Sequence, residues 1–89
     1  MANIHFTGNI QRHLRCPSDR VIGESISEVL QHYFQKVPAA RGYVLDDQGE
    51  VRKHMVILID GRPISDRADL SDPTTPDSEV YVFQALSGG

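Results

Sequence analysis

Residues 54–64 read HMVILIDGRPI, and the fold turns on this stretch. Met55–Ile59 is an apolar run without a polar break, too short for a stable helix and rich in β-branched residues, so it reads as a strand. Its unbroken apolar character predicts a central strand covered on both faces. Asp60-Gly61 follows, a favoured pair for a two-residue hairpin, where both central residues must take positive φ. A strand of this kind needs a layer packed on it. Upstream, SISEVLQHYFQKV at 25–37 places Ile26, Val29, Leu30, Tyr33, Phe34 and Val37 on one helical stripe. Ser25 and Glu28 have capping-box spacing at its start, and Pro38 closes it.

Working outward, NIHFTGNIQRHL at 3–14 puts Ile4, Phe6, Ile10 and Leu14 at even positions, a half-buried strand broken or bulged near Gly8. CPSDR at 16–20 is turn chemistry, and RVIGE at 20–24 reads as a short returning strand. The segment from Tyr43 to Lys53 reads as strand material reversing at Gln48-Gly49. Residues 65–79 form a polar loop with one helical turn around Ala68–Leu70, before a last strand in EVYVFQAL at 79–86. One main helix against a mixed sheet of four to five strands is an α+β layer arrangement.

The chain has 89 residues, 39% apolar and 24% charged, which suits one globular domain with a small core. Little volume is left for a deep catalytic cleft. The start lacks a signal peptide's apolar run, and no stretch is long enough to span a membrane. Cys16 is the single cysteine, so no internal disulfide forms, and the expected location is cytoplasmic. Net charge is −3, which argues against nucleic-acid binding. Residues 1–45 carry five basic and three acidic groups, whereas 46–89 carry four basic and nine acidic ones. That asymmetry marks Asp69 and Asp72 as candidate docking charges for a basic partner surface, set against a merely solvated acidic face.

Chemistry-bearing patterns are scarce. No glycine-rich phosphate loop joins a strand to a helix. His5, His13, His32 and His54 lack zinc-ligand spacing, so no metal site is expected. Cys16 precedes Pro17 with no histidine placed to activate it, and reads as an incidental thiol. Arg12 and Arg15 are weak candidates for a phosphate contact. Tyr33 and Phe34 belong to the core stripe. Nothing assembles an acid, a base and an oxyanion site, so the chain is not expected to be an enzyme.

The end of the chain, VYVFQALSGG at 80–89, is different. The last strand runs directly into a tail, dividing the chain into a domain at 1–83 and a flexible segment at 84–89. Six extended residues span on the order of 20 Å, enough to carry a carboxylate into another protein's active site. Gly88 and Gly89 lack Cβ atoms, pass a narrow channel and leave the terminal carbonyl open to attack. A carboxylate is a poor acyl donor, so the useful step is its activation by ATP in a partner enzyme.

These residues resemble the MoaD/ThiS family of ubiquitin-like, β-grasp sulfur carriers. The resemblance covers the opening strands, the capped helix, HMVILIDGRPI, and the ending ALSGG at 85–89. The family's Gly-Asp-x-Val signal before the last strand stands here as DSEV at 77–80, with Ser78 in place of the aspartate. Gln84 takes the place of a frequent proline and Leu86 that of a smaller aliphatic residue. What the resemblance implies is a cycle run by others. An E1-like adenylating enzyme activates the Gly89 carboxylate with ATP, a sulfur donor displaces AMP to leave a thiocarboxylate, and a downstream synthase accepts the sulfur. The chain binds no cofactor itself. Gly88 then provides clearance, while Leu86 and Phe83 are candidates for apolar grip in the partner's groove, Phe83 being equally placed by alternation for the core. Two other readings stay open. The same tail serves a ubiquitin-like modifier joined to lysines, and a non-covalent β-grasp interaction module needs no glycines at all.

Overall fold

A computed structural model of the chain describes residues 1–7 and 16–85. The elements in chain order are β1 (Ala2–Thr7), β2 (Asp19–Val21), α1 (Ile26–Lys36), α2 (Pro38–Val44), β3 (Met55–Ile59), β4 (Arg62–Pro63) and β5 (Glu79–Gln84). They build a five-stranded mixed sheet in the order β2-β1-β5-β3-β4. β1 and β5 are parallel, and the other neighbours are antiparallel. This is the β-grasp arrangement expected from the resemblance. The proposed bulge at Gly8, the strand positions Ile10 and Leu14, and Arg12, His13 and Arg15 lie outside the described residues.

α1 forms where its apolar stripe predicts, with Ile26, Val29, Leu30, Tyr33 and Phe34 buried. The first three N–H groups of the helix all have partners. Ser25 Oγ accepts from the Glu28 N–H, Asp72 O from the Ile26 N–H and Leu70 O from the Ser27 N–H. The capping box is half formed, because the Glu28 carboxylate accepts the N–H of Glu24 rather than that of Ser25. Just before α1, Gly23 lies so close to it that a Cβ would stand 2.7 Å from the Val29 backbone nitrogen. No larger residue fits there without moving the helix.

Three expectations need correction. Pro38 does not merely end a helix: α1 stops at Lys36, and Pro38 is the first residue of α2, a position where its fixed φ is an advantage and its missing N–H costs nothing. Tyr43 and Val44 therefore belong to a helix, which buries Ala40 and Val44, and not to a strand. The reversal at Gln48-Gly49 does occur, with Gly49 at φ +84, but it joins one isolated bridge between Leu45 and Val51. Finally, β3 is an interior strand, between β5 and β4, but it is not covered on both faces. Met55 and Ile57 are buried, while Val56 and Leu58 are half-buried on the face opposite the helices. The middle position belongs to β5.

The Asp60-Gly61 turn is as read, with φ of 51° and 85°. Around Ala68–Leu70 the chain makes a single turn closed by the Leu70 N–H donating to Asp66 O. The core between sheet and helices holds Ile4, Phe6, Ile57, Val80 and Val82 from the strands against Tyr33, Leu30 and Val44. Phe6 packs on Tyr33 with ring centroids 4.7 Å apart.

Candidate functional site

The site under test is the place where β5 delivers the chain's end. β5 is hydrogen-bonded on both flanks, to β1 from Asn3 to Thr7 and to β3 from Met55 to Ile59. Its start is clamped. The Asp60 N–H donates to Glu79 O at 2.9 Å, and Asp60 Oδ1 accepts from the Glu79 N–H at 2.9 Å. Ahead of it, Ser78 is buried; its Oγ accepts from the Thr75 N–H at 2.8 Å, and its carbonyl accepts from the Asn3 N–H at 3.0 Å. A serine at the position of the family's aspartate thus still fastens the entry to the strand.

Pairing continues through Gln84, opposite Met55, and the Ala85 N–H donates to His54 O at 2.7 Å. Fixed backbone therefore reaches two residues past the 83/84 boundary read from sequence. Leu86, Gly88 and Gly89 lie outside the described residues. The four residues Leu86 to Gly89 span at most about 14 Å when extended, less than the span counted from Gln84.

Alternation resolves Phe83. Val80 and Val82 are fully buried on the helix side, so Phe83 takes the other face with Tyr81, paired across to Val56. Val56, Leu58, Tyr81 and Phe83 make this open face apolar at its centre. Beside them, His5 stacks on Tyr81 at 4.8 Å. Its ring nitrogens meet Ser18 Oγ at 2.9 Å and Glu79 Oε1 at 3.0 Å, while Asn3 Nδ2 donates to the other Glu79 oxygen. The bonds from Asn3 and His5 hold the Glu79 carboxyl below the usual carboxylate range. The cluster ties β1 to β5. Residues 5, 18 and 79 are too far apart in sequence for any spacing rule to link them.

The two candidate docking carboxylates part company. Asp72 is engaged within its own loop, accepting from the N–H groups of Ser65 and Asp66 at 2.9 and 2.8 Å. Asp69 is exposed on the helix side, at a cavity shared with Leu30, Gln31, Phe34 and Arg41. The structure does not bring them together with the tail root. Asp66, not singled out from sequence, organises the loop by accepting from Ala68, Asp69 and Ser71, and the Ser71 bond lowers its pKa first.

Cys16 is fully buried and burial raises its pKa, which suppresses the thiolate. Tyr33 donates from its hydroxyl to Pro17 O at 2.7 Å, and burial pushes its pKa up to about 12. Among the described residues no group of three His, Cys, Asp or Glu side chains is placed to hold a metal ion, and no helix is long and apolar enough to cross a membrane.

A second surface at the tail root was not legible from sequence. An open cavity of about 570 Å³ is lined by Tyr43, Asp46, Arg52, Lys53, His54 and Gln84, among others. The clue in sequence was Arg52-Lys53-His54, a basic triplet directly before the strand that pairs with the end of β5.

No family model matches the chain, and no curated protein matches it in sequence. Solved structures do match in shape. SAMP1 from Haloferax volcanii aligns over 99% of this chain and 98% of its own, with a TM-score of 0.77 at 21% identity. A chain of the Amycolatopsis orientalis BexX/CysO complex aligns over 100% of both, with a TM-score of 0.74 at 12% identity. Urm1 from Trypanosoma brucei aligns over 99% of this chain and 94% of its own, with a TM-score of 0.61 at 17% identity. The chain has the β-grasp, ubiquitin-like fold that these three structures share.

Proposed function

We propose that the chain is a sulfur carrier, a protein substrate without catalytic activity of its own. One observation carries the reading: the central strand is paired on both flanks and is still bonded at Ala85 to His54 beside an open surface, so the chain enters Leu86–Gly89 from a fixed point. A tail mounted in this way starts from a defined point at which a partner can receive it.

The chemistry belongs to that partner, an E1-like adenylating enzyme acting in the cytoplasm. A Gly89 carboxylate oxygen attacks the α-phosphorus of ATP and pyrophosphate leaves. Hydrosulfide, the simplest sulfur donor, then adds to the acyl carbon, AMP departs, and loss of the sulfur-bound proton leaves the terminal thiocarboxylate. Gly88 gives the clearance both steps need, and Leu86 packs in the enzyme's groove. Phe83 contributes from the open sheet face. A downstream synthase then takes the sulfur. The match in shape to a chain of the BexX/CysO complex supports a life spent docking on partner enzymes.

The test is incubation with an E1-like enzyme, ATP and sulfide, followed by intact mass. Exchange of one oxygen for sulfur at Gly89 is expected, and a chain lacking Gly88 and Gly89 should stay unchanged. An unaltered mass for the full chain counts against the reading. A second reading is favoured by the likeness in shape to Haloferax volcanii SAMP1, a small archaeal modifier protein. In it the adenylated tail is passed to a lysine amine, and tail-bearing lysine adducts on cellular proteins would mark that outcome.

A further inference from the structure

The cavity at the tail root has a charge opposite to that of the chain. The protein carries −3, and its half from residue 46 onward carries four basic groups against nine acidic ones. Yet the cavity is lined by Arg52, Lys53 and His54, with Asp46 the single acidic residue among its lining. Asp46 is occupied locally, its Oδ1 accepting from the N–H groups of Gln48 and Glu50 at 2.9 and 3.1 Å. The Arg52 Nε donates to Gly42 O at 2.7 Å, which fixes the guanidinium at the rim. Among the described residues, neither Arg52 nor Lys53 forms an ion pair. Tyr43 stands over the same opening and is 44% exposed.

Reach then decides what must come to this surface. Gln84 is part of the cavity wall, and Ala85 is bonded to His54. With Gly89 as the activated residue, its carboxylate lies within about 14 Å of Ala85, the span of four extended residues. An enzyme that works on Gly89 has to bring its reacting centre within that radius. The rim formed by Tyr43, Arg52 and Lys53 lines the same opening as Gln84 and is therefore within reach of that enzyme's entrance wall.

We propose that this basic cavity is the docking point for a carboxylate-bearing lip on the adenylating enzyme, with Arg52 and Lys53 selecting which enzyme is accepted. The inference rests on the reading of the tail as an activated substrate. The occupant is an acidic segment with an apolar side chain: the carboxylates face Arg52 and Lys53, and the apolar group lies on the Tyr43 ring. Docking thus uses a small positive site and not the exposed Asp69 carboxylate on the helix side. Exposed charges of this kind act mainly on encounter rate and are screened by salt.

Two measurements test it. In pyrophosphate exchange with an E1-like enzyme, Lys53→Glu should lower kcat/KM about tenfold at low salt and much less at high salt. Lys53→Arg should keep the wild-type rate, and so should Asp69→Lys. Equal rates for Lys53→Glu and wild type, or a loss in Asp69→Lys alone, would overturn the proposal while leaving tail activation intact. The second measurement needs no enzyme. A capped glutamate-rich pentapeptide with one central phenylalanine is titrated into the isotopically labelled chain. Shifts should gather at the amides of Tyr43, Lys53, His54 and Gln84 and vanish in Lys53→Glu. Shifts gathered elsewhere, or none, refute the cavity as an acidic-segment site even if the full chain proves not to be adenylated.

Discussion

Asp60 offers the sharpest test of how the tail-bearing strand is held. It occupies the left-handed region at φ 51°, and its side chain accepts from the Glu79 N–H at 2.9 Å. Alanine there removes that hydrogen bond, a net loss of about 1 kcal/mol for a solvent-accessible pair. It also places a Cβ-bearing residue with no local hydrogen bonding in the left-handed region, about 1 kcal/mol more. Asp60→Ala should therefore lose about 2 kcal/mol, a fall in Tm of about 8–16 °C for a domain of this size. Asp60→Gly loses the bond but relieves the backbone, so its loss should be well under half as large. Asp60→Asn keeps an acceptor in a conformation asparagine tolerates, and should match wild type. Urea unfolding followed by far-UV circular dichroism orders the three. Alanine no worse than glycine would refute the backbone argument, and asparagine as poor as alanine would refute the hydrogen bond.

Gly23→Ala should destabilise by about 1–3 kcal/mol, because the new methyl meets the Val29 backbone at 2.7 Å and backbone cannot rotate aside; a neutral melting curve would mean the junction relaxes freely. Tyr33 makes stability fall in alkali. Its pKa rises from 10 in the unfolded chain to about 12 in the fold, so the stabilisation is complete below pH 10 and is lost as pH climbs toward 12. Tyr33→Phe should be less stable at neutral pH, since Pro17 O loses its donor, and should lack this contribution to the alkaline fall. An unchanged alkaline slope in the phenylalanine variant would assign the loss to other groups.

Legibility followed the range of the interactions. α1 was visible because its stripe, its Ser25 cap and its bulky apolar residues all lie within one window. The Asp60-Gly61 turn was visible because two adjacent residues must share an uncommon backbone region. Pro38 closes α1 as read but also begins α2, which went unseen because proline serves at both positions and the burial of Ala40 and Val44 is set by tertiary packing. The burial of β3 misled in a related way. An apolar run looks the same whether helices cover both faces or only one, and here the other face is the open surface of half-buried Val56, Leu58 and Phe83 with exposed Tyr81. The cluster of His5, Ser18 and Glu79 was invisible, because the parallel pairing of β1 with β5 joins residues from opposite ends of the chain.

Sequence alone settled the layer arrangement, the principal helix and hairpin turn, and the small core. Those follow from hydrophobic period, caps and turn residues, which act over a few positions. Tertiary structure alone decided that β5 occupies the middle of the sheet, that Phe83 faces outward, and that Asp72 is consumed within its loop while Arg52 and Lys53 stand at the tail root. Each of these depends on which distant backbone supplies a hydrogen-bond partner, and no local pattern encodes that.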